Sequence, residues 1–237
     1  MRRLPVIVLP AMFLTILFTP VGSTPQECDS NYGFLTKVEA RAQETDSWCW
    51  AAVLQMATAC HGEQYSKKQC RLATDYLHPQ GTLSLAKISN EVCRQDVQAR
   101  GKVGQSVNCC APEHINNCYC TTTGWPDFQG QGFNAKLVQR DKGLEWDEVK
   151  TQICRGHPIA VTFQYPESAH QNVATGYKII RGNRKRIWLI DPIGPQSRWW
   201  SFPSRYTNVS IGDGEHGEHG TDLVDIHPID SEETSCK

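Results

Sequence analysis

Two cysteines lie in the stretch RAQETDSWCWAAVLQMATACHG (41–62), and only Cys49 stands between two tryptophans, where a helix is expected to begin. The reactive form of cysteine is the thiolate, and a free thiol, with a pKa of about 8.5, is mostly protonated at neutral pH. The unpaired N–H groups at a helix N-terminus favour the anion, and an adjacent imidazolium favours it further. Trp50, Val53, Leu54 and Ala57 recur at helical spacing, with Asp46 or Ser47 placed to cap the start and Gly62 to end it. Cys49 therefore occupies the first turn. Cys60 lies at the far end, where the dipole has the opposite sign. The first is the candidate nucleophile, the second a candidate disulfide half.

A thiol nucleophile needs a base and a donor for the charge it creates. Gln43, six residues before Cys49, supplies an amide that can join the Cys49 backbone N–H in holding an oxyanion. His170, in PESAHQNVATGYKII, stands at the mouth of a β-type run where a strand can hold an imidazole rigidly. The following run ends in RIWLIDPIG, with Asp191 at its tip, and a turn near Gly182–Lys185 brings the two strand ends together. Asp191 is then placed to accept from His170 and fix its ring. His157, in GHPIAV, reads as the turn entering a strand. Trp50 is expected in the core beneath the site, and Trp48 is expected to help line the substrate cleft.

The elements that must hold these residues follow from the patterning. SKKQCRLATDYLH and LSLAKISNEVCRQDVQAR predict two more helices, and LEWDEVKTQIC an amphipathic one. Residues 101–133, rich in Gly, Asn, Thr and paired cysteines, read as an irregular disulfide-held region. PIAVTFQY, VATGYKII, RIWLID and RWWSF then predict short strands separated by turn residues. Helices first and strands later indicate an α+β domain of two lobes.

The chain has 237 residues with 24 basic and 25 acidic side chains, a balance without the electrostatic footprint of a nucleic-acid binder. Residues 1–23 read as a signal peptide: Arg2 and Arg3, an apolar run from Leu4 to Phe18, then small residues at Val21 and Ser23. Its loss leaves 22 basic against 25 acidic residues in a domain spanning 24–237, expected to be secreted or periplasmic and off the membrane. Eleven cysteines suit an oxidising compartment, and an odd count leaves one unpaired, expected to be Cys49. In NCCAPEHINNCYC the gaps between cysteines are shorter than structural zinc prefers, so disulfides are expected there and no metal. His216, His219 and His227 fall in DGEHGEHGTDLVDIH, read as a solvated loop leading into a last strand.

Gln43, Cys49 and Trp50 at this spacing, followed by His170 and a downstream acid, resemble the papain-like cysteine peptidases. The closer likeness is to a bacterial branch related to bacteriocin-processing peptidases and secreted effector peptidases. It is carried by WCWAA (48–52), Cys109-Cys110, GHP (156–158), HQNVATGY (170–177) and Asp191-Pro192. One departure is PESA just before His170, where such proteins commonly place glycines. The resemblance implies a papain-like fold in which a helical lobe carrying the nucleophile packs on an antiparallel sheet lobe. It also implies peptide-bond hydrolysis of a protein or peptide substrate without a cofactor. Two other readings keep the same residues: a thiol-dependent peptidoglycan hydrolase or acyltransferase, and a catalytically silent papain-like binding module.

Overall fold

The computed structural model describes residues 29–77, 108–111, 118, 125–139, 143–165, 168–194, 196–202, 207–211, 215–231 and 235–237. The expected signal peptide, the helix expected over 83–100, and Cys28, Cys93 and Cys120 lie outside them.

CWAAVLQMATA forms helix α1, Cys49–Ala59, with Trp50–Leu54 and Met56–Thr58 buried. A helix apolar on nearly every side must be enclosed, and this one is. Neither Asp46 nor Ser47 caps it. Trp48 is the N-cap residue and makes no side-chain capping bond, so the first-turn amides are left without one. Helix α2, Gln69–Leu77, packs beside it, with Tyr76 4.9 Å from Trp50 between ring centres. Helix α3, Trp146–Arg155, starts with a capping box formed by Glu145 and Glu148 and ends at Gly156, whose φ is 85°.

The strands are β1 (Tyr32–Phe34), β2 (Phe133–Gln139), β3 (Ile159–Gln164), β4 (Ala169–Ile180), β5 (Arg184–Asp191), β6 (Gln196–Ser201), β7 (Thr207–Ile211) and β8 (Glu215–Pro228). They form one antiparallel sheet in the order β2-β8-β3-β4-β5-β6, with β1 paired to β4 and β7 to β8. Successive side chains of a strand face opposite sides, and the two cores use that alternation. Ala160, Val173, Ile190 and Leu223 pack with α1. Ile159, Val161, Phe163, Ala174 and Leu189 pack with Trp146, Val149 and Ile153 of α3. The result is the expected α+β arrangement, with helix α1 seated on one face of an antiparallel sheet.

The β4–β5 hairpin turns through residues 181–183, where Gly182 (φ 77°) and Asn183 (φ 56°) take the left-handed conformation that glycine and asparagine adopt most readily. DGEHGEHGTDLVDIH is a correction: the segment read as a solvated loop belongs largely to β8, with His219 and Asp222 buried. Its neighbours β2, β3 and β7 all pair with it, which supplies the main-chain partners its composition does not suggest.

Candidate active site

Cys49 is the first residue of α1 and half-buried. Among the described cysteines it is the free one. Cys60 pairs with Cys236, Cys70 with Cys110 and Cys109 with Cys118, while Cys154 is also disulfide-bonded. Trp48 N–H donates to Thr45 O, and Ala52 N–H donates to Trp48 O, so a turn enters the helix directly and sets Cys49 at its tip.

His170 stands at the start of β4 and Asp191 at the end of β5. In the register of the hairpin Val173 faces Ile190, so the two strand ends meet. There His170 Nε2 lies 2.8 Å from Asp191 Oδ1. The same carboxylate oxygen accepts from the Ile193 N–H at 3.0 Å. With Nε2 taken, Nδ1 is the ring nitrogen left for Cys49, which lies close enough to raise the His170 pKa. Burial by itself pushes the imidazole pKa down from 6.5. The hydrogen bond to Asp191, the neighbouring Cys49 and the charge of Asp191 outweigh it and raise the pKa to about 9. Burial pushes Asp191 the other way, and the bond from His170 together with the Ile193 amide and Arg198 holds its pKa below 3.8.

Gln43 is tied to the same corner. Its backbone N–H donates to Pro192 O at 2.8 Å, one residue past Asp191. Its side-chain Oε1 is buried and accepts no hydrogen bond, and its amide nitrogen has no partner among the described residues. The terminal amide is thus uncommitted. Trp48 is a correction: it is fully buried, and its Nε1–H donates to the Cys118 carbonyl. A side chain with no exposed surface does not line a cleft; it buttresses the disulfide-bonded segment against the start of α1. Trp50 is buried in the α1 core, as expected.

His157 stacks on His227 with ring centres 5.0 Å apart, and burial, then His227 and His61, lower its pKa to about 4. A second His–Asp pair escaped the sequence reading. His219 Nε2 lies 2.7 Å from Asp222 Oδ1 in β8, and Asp222 Oδ2 accepts from Leu144 N–H. Its residues sit three apart in a stretch whose composition reads as loop, so periodicity carried no signal for it. Both side chains are almost wholly buried, against the Phe163 ring, and the pair serves the interior between β8 and the start of α3.

The arrangement at α1, β4 and β5 brings together a free thiol at an uncapped helix start, an imidazole beside it, and a carboxylate that holds the imidazole from behind. Such a group can deliver a thiolate to an electrophilic carbon and return a proton to a leaving group. No curated protein matches the chain. A family model described as the Peptidase_C39 like family matches residues 35–210.

Proposed function

The chain belongs to the Peptidase_C39 like family, and from that premise we propose that it is an exported cysteine peptidase acting through Cys49, His170, Asp191 and Gln43. The observation that carries the reading is the position of His170, bonded through Nε2 to Asp191 and close enough to Cys49 for that side chain to raise its pKa. Cys49 Sγ attacks the carbonyl carbon of a peptide bond. The carbonyl oxygen, as it gains charge, takes hydrogen bonds from the Cys49 N–H and the Gln43 amide. His170 holds the thiol proton and passes it to the leaving amine, which departs as the C–N bond breaks. Water, deprotonated by His170, then cleaves the thioester, releases the acid and restores the thiol. Asp191 keeps the ring oriented throughout, and no cofactor enters.

The disulfides fit an oxidising compartment, and no described helix is long and apolar enough to cross a membrane. The disulfides support residues 1–23 acting as a cleaved signal and the domain 24–237 working in a secreted or periplasmic setting. The test is labelling by a thiol-reactive peptide probe, alongside cleavage of a peptide library. Labelling and cleavage that both disappear in Cys49→Ser and in His170→Ala support the reading. Cleavage retained by Cys49→Ser overturns it.

A further inference from the structure

Strand β6 is an edge. Among the described residues it pairs with β5 alone, so its outer row of N–H and C=O groups has no strand beside it. Proteins usually blunt such edges with proline, a bulge, a short strand or charged side chains, of which β6 carries one, Arg198. Here QSRWWS has neither proline nor glycine, pairs without a register shift, and runs six residues.

Three cations lie near this edge. Lys178 Nζ lies 4.0 Å from the Trp199 ring centre. The Arg198 guanidinium lies 4.1 Å from the Trp200 ring, and Arg186 Nη1 donates to Ser201 Oγ at 2.8 Å. None of the three cations forms an ion pair among the described residues. Arg198 lies on the other face of the sheet from Lys178 and Arg186, beside Asp191, whose pKa it helps to lower. Lys178 and Arg186 also stand directly opposite each other across β4 and β5. Like charges in that position destabilise a sheet. In a chain with 24 basic and 25 acidic residues, two facing cations without an ion pair beside an edge strand depart from local consistency, as functional surfaces do. Exposed Tyr32 and the half-buried Trp199 and Trp188 form an aromatic strip on the face of Lys178 and Arg186, with ring centres 6.4 Å and 5.0 Å apart.

We propose that the outer edge of β6 is a docking strand for an acidic, extended segment of a protein substrate, which adds to the sheet beside β6 while the carboxylates on one of its faces meet Lys178 and Arg186. The free main-chain edge selects a peptide over a lipid or glycan, because only another backbone offers the alternating donors and acceptors. The cations select acidic side chains. The edge begins opposite Asp191, so a docked segment runs away from the candidate catalytic corner. Calling the partner a substrate rests on the peptidase reading; its binding does not.

The test uses the oxidised full chain carrying Cys49→Ser and a fluorescein-labelled peptide of alternating Glu and Val, followed by anisotropy. Saturable, salt-weakened binding is expected. Lys178→Glu should weaken it about tenfold or more while melting no lower than its parent, because the new carboxylate faces Arg186. Methylating alternate peptide nitrogens should abolish binding in one phase and spare it in the other. No saturable binding, equal affinity for Lys178→Glu, or no dependence on phase overturns the proposal. So does binding to anionic phospholipid vesicles that the peptide fails to displace. Turnover of a short uncharged peptide by the chain with Cys49 intact is measured alongside. Its absence overturns the peptidase reading and leaves the binding result standing.

Discussion

His170 is where opposing forces are most finely set. Burial disfavours its cation, yet its neighbours raise its pKa from 6.5 to about 9. A group whose folded-state pKa is raised binds its proton more tightly when folded. Its contribution to stability is complete below pH 6.5 and is lost as pH climbs through about 9. Turnover per folded molecule should fall over that upper range, as the acid that protonates the leaving amine empties. Asp191→Asn removes two of the influences that raise the value, so the descending limb of kcat/KM should move to lower pH. A limb that stays put would assign the raised value to Cys49 alone. The variants should also rank. Cys49→Ser and His170→Ala should fall to background with the fold intact. Asp191→Asn should lose less than the roughly 10⁴-fold seen when the acid of a Ser-His-Asp triad is changed to amide, since the thiol–imidazole pair exists before substrate arrives. Gln43→Ala should cost roughly 10²-fold in kcat, as loss of one oxyanion donor does. An unchanged Gln43→Ala enzyme would leave the oxyanion to backbone amides.

At the scale of elements, what was legible depended on how strongly a segment's own pattern matched its final state. Cys49, His170 and Asp191 could be placed because each stands at the end of a strongly patterned element, α1, β4 or β5. The strand β3 and helix α3 were equally clear, since IAVTFQ is apolar and β-branched and LEWDEVKTQIC is amphipathic. β1 was not, because three residues held by pairing to β4 leave no periodicity to read. β8 was hidden for another reason: its Gly, His and Asp residues are poor strand formers, and its three neighbours impose the conformation. The missing cap on α1 was equally invisible, since Asp46 and Ser47 are good capping residues whose side chains the entering turn does not use. The end of α3 offers a test at this scale. Gly156 has φ 85°, and a Cβ there meets Ser235 Oγ. Gly156→Ala should cost about 1–2 kcal/mol, from the left-handed backbone and the displaced serine. Thermal unfolding measures it, and turnover per folded molecule should not change. A variant as stable as its parent would mean that the Gly156 turn relaxes without strain.

On the scale of the whole molecule, the C-terminal segment stitches together parts that are distant in sequence. Cys236 is bonded to Cys60 at the end of α1, across a separation of 176 residues. Its N–H donates to Gly156 O after α3, and its carbonyl accepts from Lys37 N–H beyond β1. A closure of that length lies at the upper end of what disulfides contribute through the unfolded chain, typically about 2–5 kcal/mol. Replacing both cysteines by alanine should therefore lower the melting temperature by roughly 5–15 °C. The catalytic effect should differ sharply. Cys49 and Cys60 mark opposite ends of α1, which spans Cys49–Ala59, about 16 Å at the rise of an α-helix. The bond thus anchors the end of the helix that carries no chemistry, while Cys49 is held by the turn from Thr45 and by the packing of Trp48 under Cys118. Below the new melting point, turnover per folded molecule should match that of the parent chain. Turnover lost in step with the disulfide, at temperatures where the variant is fully folded, would show that tension from the tail reaches the nucleophile through α1.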